Sequence, residues 1–299
     1  MHPRTMNALL MPMVAIISGN ALMAQSPRER EVELDIPFVE GGGHEQQLDL
    51  FTPVGAHFPT ILFVHGGSLT SGDRKDEPHA RMCQTFQGLG IACAATNYRL
   101  APSHKWPAQP NDVVAAFRWL KENIGARGGD PGRIFLFGHS SGCLIVALVA
   151  TDARYLEEGG LSPEDIAGII PMGCRLNDHV EIADRPPSPY ETSWVSADRV
   201  DDYMNGEVAF VSLEQRNAAV PAAHVSERLP PTLVVIAEAE RFFPPILRDA
   251  AEFVGRALVH GADADLAILD NRRHTTAIEM MVTVDDAAVV KVVAFVRAH

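Results

Sequence analysis

Two segments near the start of the chain, Val32 to Phe38 and Gln47 to Phe51, alternate apolar with polar side chains, the period of a strand with one face on a core. They predict an opening antiparallel hairpin of half-buried strands. Six further runs, Thr60 to Val64, Ile91 to Thr96, Ile134 to Phe137, Ile166 to Pro171, Thr232 to Ala237 and Leu266 to Leu269, are short, mostly apolar and bounded by Gly, Pro or Asp. Such runs suit strands buried on both faces. Between them, apolar residues recur at helical spacing over Asn111 to Glu122, Ser141 to Thr151, Pro245 to Leu258 and Asp285 to Ala298. Strands alternating with helices predict an α/β chain: a mostly parallel eight-stranded sheet flanked by helices, joined by right-handed crossovers. Ligands of such sheets bind beyond the carboxyl ends of the strands, so functional residues are expected just after strands.

One stretch breaks the alternation. From Arg175 to Arg228 the chain carries Pro186, Pro187 and Pro189 with scattered aromatics Tyr190, Trp194, Tyr203 and Phe210. It is too long for a simple connection, and its aromatics predict a packed lid or cap inserted after the sixth strand. The first residues also stand apart: His2 and Arg4 precede an apolar stretch from Ala8 to Ile17, and Ala21-Leu22-Met23-Ala24 closes it. The pattern predicts a secretory signal peptide over 1–24 and one folded domain over 25–299, in a secreted or periplasmic protein. Pro12 interrupts the apolar run, which is short of the roughly 20 residues of a membrane helix, so no stable membrane span is expected.

Composition narrows the picture further. At 299 residues, with 46% hydrophobic and 21% charged side chains, the chain is far from the depleted composition of a disordered protein. Its formal charge of −13 would repel a phosphate backbone, which excludes nucleic acid as a partner. Cys83, Cys93, Cys143 and Cys174 permit three pairings in an oxidising compartment. Cys93 and Cys143 lie inside strongly apolar runs and read as plain buried thiols, and no Cys/His cluster suggests a metal site.

The chemistry is concentrated in two glycine-rich turns. Gly138-His139-Ser140-Ser141-Gly142 matches GxSxG and stands between an apolar strand and a helical run. The pentapeptide alone arises by chance in roughly one chain in ten of this length, so the strand-to-helix context is what points to a nucleophile elbow. Glycines two residues to either side single out Ser140 over Ser141 as the nucleophile, lifted out at a helix N-terminus whose N–H groups face a developing oxyanion. His65-Gly66-Gly67-Ser68, directly after the strand Thr60 to Val64, resembles the HGGG-type oxyanion loop. Backbone N–H groups of Gly66, Gly67 and Ser141 are then the candidate oxyanion donors, with His65 a structural residue of the loop.

These motifs, with Thr70-Ser71-Gly72-Asp73, Asn97-Tyr98-Arg99-Leu100-Ala101-Pro102, Asp112 and Asp130-Pro131 in the same order, resemble the hormone-sensitive-lipase-like and bacterial feruloyl-esterase-like branches of the α/β-hydrolases. The resemblance covers nearly the whole chain after residue 24 and implies an α/β-hydrolase fold that cleaves small carboxylic esters without a cofactor. Ser68, where a third glycine is common, and Cys143, where glycine often follows the elbow, depart from it. The order Ser, acid, His implies an acid after the seventh strand and a histidine after the eighth. His274, in the loop after Leu269, takes the base position. Glu240 falls on the acid position, with Glu238, Asp263, Asp265 and Asp270 as alternatives. Two other readings remain at this point: an arylformamidase or other amide hydrolase on the same machinery, and a binding module on a dead hydrolase fold.

Overall fold

The computed structural model describes residues 30–177, 208–242 and 244–299. The expected signal peptide at 1–24 lies outside them, as do residues 178–207 of the expected lid, including Tyr190, Trp194 and Tyr203. All eight expected strands form one sheet in the order β1-β2-β4-β3-β5-β6-β7-β8. They are β1 (Glu31–Pro37), β2 (Gln47–Thr52), β3 (Phe58–Val64), β4 (Ala92–Thr96), β5 (Gly129–His139), β6 (Gly168–Met172), β7 (Thr232–Ala237) and β8 (Ala264–Leu269). β2 pairs antiparallel with both β1 and β4, and every other pairing is parallel.

The period-two alternation of the central strands divides the core between the two faces. Leu62, Val64, Ile134, Leu136, Val234 and Ile236 point to one side, where α2 (Ala108–Asn123), α3 (Ser141–Thr151) and the helix Pro244–Val259 cover them. Ile61, Phe63, Phe135, Phe137, Val235 and Ala237 point to the other, beneath α1 (Glu77–Gly88) and the C-terminal helix Ala287–Ala298. Phe63 and Phe137 meet edge to face there, ring centroids 5.2 Å apart. α3 is buried almost all round, which explains why Ser141 to Thr151 is nearly continuous in apolar and small residues rather than striped.

Three expectations need correction. β2 is not half-buried: Leu48 through Thr52 are all buried, and the polar position Asp49 is tolerated because Arg74 Nε donates to its carboxylate at 3.0 Å. α1 had no predicted counterpart, because half of its buried face is polar (His79, Thr85 and Gln87 beside Met82, Cys83 and Phe86), which erases the apolar period. Cys93 and Cys143 are not plain thiols: Cys83 bonds to Cys93, tying α1 to β4, and Cys143 bonds to Cys174, tying α3 to the turn after β6. A buried sulfur in an apolar run looks the same in sequence whether or not it is paired.

At the described end of the 175–228 stretch, Phe210 packs on Trp106 with ring centroids 5.0 Å apart, and Ala209 O accepts from Trp106 N at 2.7 Å. Non-reducing peptide mapping is expected to recover Cys83–Cys93 and Cys143–Cys174 out of the three permitted pairings. By chain-entropy reasoning, reduction of the second, which spans 31 residues, costs about 3.5 kcal/mol of stability in denaturant titrations; either other pairing would contradict this fold.

Candidate active site

The turn between β5 and α3 is set by a steric exclusion. A Cβ on Gly138 would stand 2.1 Å from the carbonyl oxygen of Gly142, and one on Gly142 would stand 2.1 Å from that of Val64. With both flanks stripped of side chains, strand and helix close tightly and force Ser140 to φ 56°, ψ −120°, a conformation that only surrounding structure can hold in a residue with a Cβ. Ser140 is the N-cap of α3, and Ser141 is its first residue, whose N–H has no acceptor within the helix.

The loop after β3 runs alongside. A Cβ on Gly66 would lie 2.9 Å from Ser140 Cβ, so this backbone presses directly against the nucleophile candidate. His65 is buried; its Nδ1–H donates to Gly66 O at 2.7 Å and its ring stacks on Tyr98 at 4.4 Å. Tyr98 in turn donates its hydroxyl to His65 O at 3.0 Å. His65 therefore braces the loop, and Gly66 presents backbone rather than a side chain to Ser140, while Gly67 turns the loop against Ser71.

At the ends of β7 and β8 the structure brings His274 and Glu240 together. His274 Nδ1 lies 2.6 Å from Glu240 Oε1, with the carboxylate 3% exposed and the imidazole 42% exposed, so the acid is shielded while the ring is reachable. Glu240 Oε2 accepts from Ala237 N at 2.6 Å, which leaves the carboxylate satisfied at both oxygens. The alternatives are occupied or turned away. Glu238 accepts from Asn271 N at 2.7 Å and so ties the two loops, Asp265 accepts from Leu266 N at 2.8 Å, the Asp263 side chain is 73% exposed, and Asp270 is exposed as well. The site is closed from behind by Gly173, where a Cβ would meet Glu240 Oε1 at 2.9 Å and His274 Nδ1 at 3.2 Å.

A sequence model of the α/β-hydrolase fold matches residues 61–278. The chain belongs to the α/β-hydrolase fold family. Over 124 residues it is 35% identical to esterase LipQ of Mycobacterium tuberculosis, a match covering 40% of this chain and 29% of that protein. Over 100 residues it is 40% identical to carboxylesterase NlhH of the same organism, covering 33% and 30% respectively. The matched part is thus less than a third of the length of these curated relatives. An esterase of Pyrobaculum calidifontis superposes with a TM-score of 0.72 at 24% identity, over 91% of this chain and 87% of that one, which is a likeness of fold.

Two features of this candidate site were not read from the sequence. One is Gly173, which looks like any turn glycine until its neighbours are known. The other is His139, the variable position of GxSxG. Its Nε2–H donates to the carbonyl oxygen of His274 at 2.9 Å, and its ring lies 4.7 Å from that of His274, tilted by 34°. Burial pushes the His139 pKa down to about 3, reinforced by the proximity of His274. Burial likewise pushes His65 down to about 4 and lowers His79, against hydrogen bonds to Gly66 and Asp73 that oppose the shift.

These buried histidines make the fold acid-sensitive. Because their folded pKa values lie below the ordinary 6.5, the unfolded state binds more protons between that value and the folded one, and stability falls as pH drops through this window. His65 and His139 each remove about 1.4 kcal/mol near pH 5.5. The urea midpoint is expected to be lower at about pH 5.5 than at about pH 7.5, with an unchanged m-value; a flat or rising midpoint would contradict the neutral, buried state of these rings.

Proposed function

We propose that this chain is a carboxylic ester hydrolase that works through an acyl-enzyme, with Ser140 as nucleophile, His274 as general base and Glu240 as the orienting acid. The observation that carries this reading is the shielded Glu240 carboxylate 2.6 Å from His274 Nδ1, behind a strained serine at the head of a helix. By accepting the Nδ1 proton, Glu240 leaves the lone pair of Nε2 available. His274 then takes the Ser140 proton as the hydroxyl attacks the ester carbonyl, and Glu240 stabilises the imidazolium that results. The negative charge on the former carbonyl oxygen falls to the N–H groups of Gly66, Gly67 and Ser141. Collapse expels the alcohol, which takes its proton from His274. Water activated by the same ring then releases the acid.

The names of the curated relatives, an esterase and a carboxylesterase, support an ester as the substrate class. Phe210, in the described part of the 175–228 stretch, packs on Trp106, and this stretch is the part of the chain we assign to shaping the acyl and alcohol sites. A secreted or periplasmic setting is supported by the two disulfides, which persist in oxidising compartments.

With a short-chain chromogenic ester, Ser140→Ala and His274→Ala are each expected to lower kcat by several orders of magnitude without unfolding the protein. Glu240→Gln is expected to cost about 10² to 10⁴ in kcat. Glu238→Gln, which removes only a loop tie, is expected to cost far less. Turnover of Ser140→Ala above about a tenth of wild type would overturn the proposal. A panel that adds formylated anilines separates ester from amide chemistry: preference for the anilide would shift the assignment to the second class.

A further inference from the structure

Hydrolysis by the scheme above needs the Nε2 edge of His274 aimed at Ser140, and Glu240 alone does not aim it. A hydrogen bond at Nδ1 pins one point of a planar ring, which can still swing about that point. The second constraint in this structure comes from the residue next to the nucleophile. Resting on the assignment of Ser140 and His274 made above, we propose that His139 is a positioning residue: its Nε2–H fixes the His274 backbone and its ring face fixes the His274 ring plane.

Three observations carry this. The donor-acceptor distance from His139 Nε2 to His274 O is 2.9 Å, and because a carbonyl can only accept, the proton must sit on Nε2. The two ring centroids lie 4.7 Å apart with their planes tilted by 34°, so the His139 ring blocks rotation of His274 toward its own side. The remaining Nδ1 edge of His139 faces the third loop of the site, since a Cβ on Gly66 would stand 3.4 Å from it. One buried side chain thus touches the base loop and the oxyanion loop while being covalently attached to Ser140. A displacement of about 1 Å among such groups can cost about 10² in rate.

Support of the His274 imidazolium favours a neutral His139 ring. A second positive charge at this distance would oppose formation of the His274 imidazolium, and burial keeps His139 unprotonated down to about pH 3. The face presented to His274 is then an uncharged aromatic surface, against which a cation can rest. On the far side of the oxyanion loop, the His79 ring stacks on His65 at 6.4 Å and its Nδ1–H donates to Asp73 O at 2.8 Å.

The test compares His139→Ala, His139→Gln and His139→Phe with wild type and Ser140→Ala on a short-chain chromogenic ester. Gln keeps a donor without a ring, and Phe keeps a ring without a donor. His139→Ala is expected to lose about 10² in kcat with KM within about threefold, and Gln and Phe are each expected to recover part of that loss. A fall confined to KM, a kcat within twofold of wild type for folded His139→Ala, or no recovery by either rescue variant would overturn the proposal. Should His139→Ala fail to fold, nitrogen-15 spectra of wild-type histidines decide: a neutral Nε2–H tautomer from about pH 8 to 5.5 is expected, and an Nδ1–H tautomer or protonation in that range would overturn it. Failure of the underlying assignment looks different, because ester hydrolysis would then survive in Ser140→Ala or be absent from wild type.

Discussion

Every functional distance in this protein depends on how closely α3 can approach the end of β3. A helix following a strand normally keeps a side chain's width between itself and the neighbouring backbone. Here Gly142 stands where any Cβ would enter the Val64 carbonyl, and Gly138 stands where one would enter Gly142 itself. The approach sets the left-handed conformation of Ser140, and it brings the Gly66 backbone against the serine Cβ. Larger residues would not merely crowd the site. They would push α3, and with it the whole buried face from Ile145 to Val149, away from the sheet.

Around that turn, the remaining groups arrive on the ends of parallel strands. β5 delivers His139 and Ser140, β6 delivers Gly173, β7 delivers Glu240 and β8 delivers His274. The loops that carry the last two are joined to each other before either meets the serine: Ala239 N donates to Arg272 O at 3.0 Å and Asn271 N to Glu238 at 2.7 Å. Arg272 is held in turn by Asp286, whose carboxylate also caps the C-terminal helix through Ala288 N at 2.9 Å. Glu240 and His274 therefore sit on loops tied to each other and to a helix, which is what a 2.6 Å contact between groups 34 residues apart requires.

The parts of this arrangement legible in the sequence are those that follow from local pattern. Eight strands announce themselves, six as apolar runs and two by alternation, and α3 matches its predicted limits because the glycine-flanked serine marks its start. Ser140 and His274 stand out as candidates because they follow strands. The choice of Glu240 over Glu238 is harder, since both follow β7 within three residues and only the fold shows one carboxylate buried against the ring and the other spent on Asn271. The Cys143–Cys174 bridge and the contact of His139 with His274 join residues far apart in the chain, so no short window of sequence contains the information, while Cys83 and Cys93 stand only 10 residues apart and are obscured by the polar half of α1's buried face. His139 precedes His274 by 135 positions.

The Cys83–Cys93 bridge also constrains the order in which the protein is made. Both residues are 0% exposed, inside one of the two apolar layers, whereas Cys174 of the other bridge is only partly buried. Thiol–disulfide exchange needs an attacking thiolate to reach a sulfur, and in the finished molecule Cys83 and Cys93 are sealed off. Oxidation of this pair therefore has to be complete before that layer closes over the sheet, while α1 can still swing clear of it. A host that collapses the chain first and oxidises it afterwards traps the thiols in a body their oxidant cannot enter, so the timing of oxidase action relative to collapse, more than the final redox poise, governs how much correctly bridged protein is obtained.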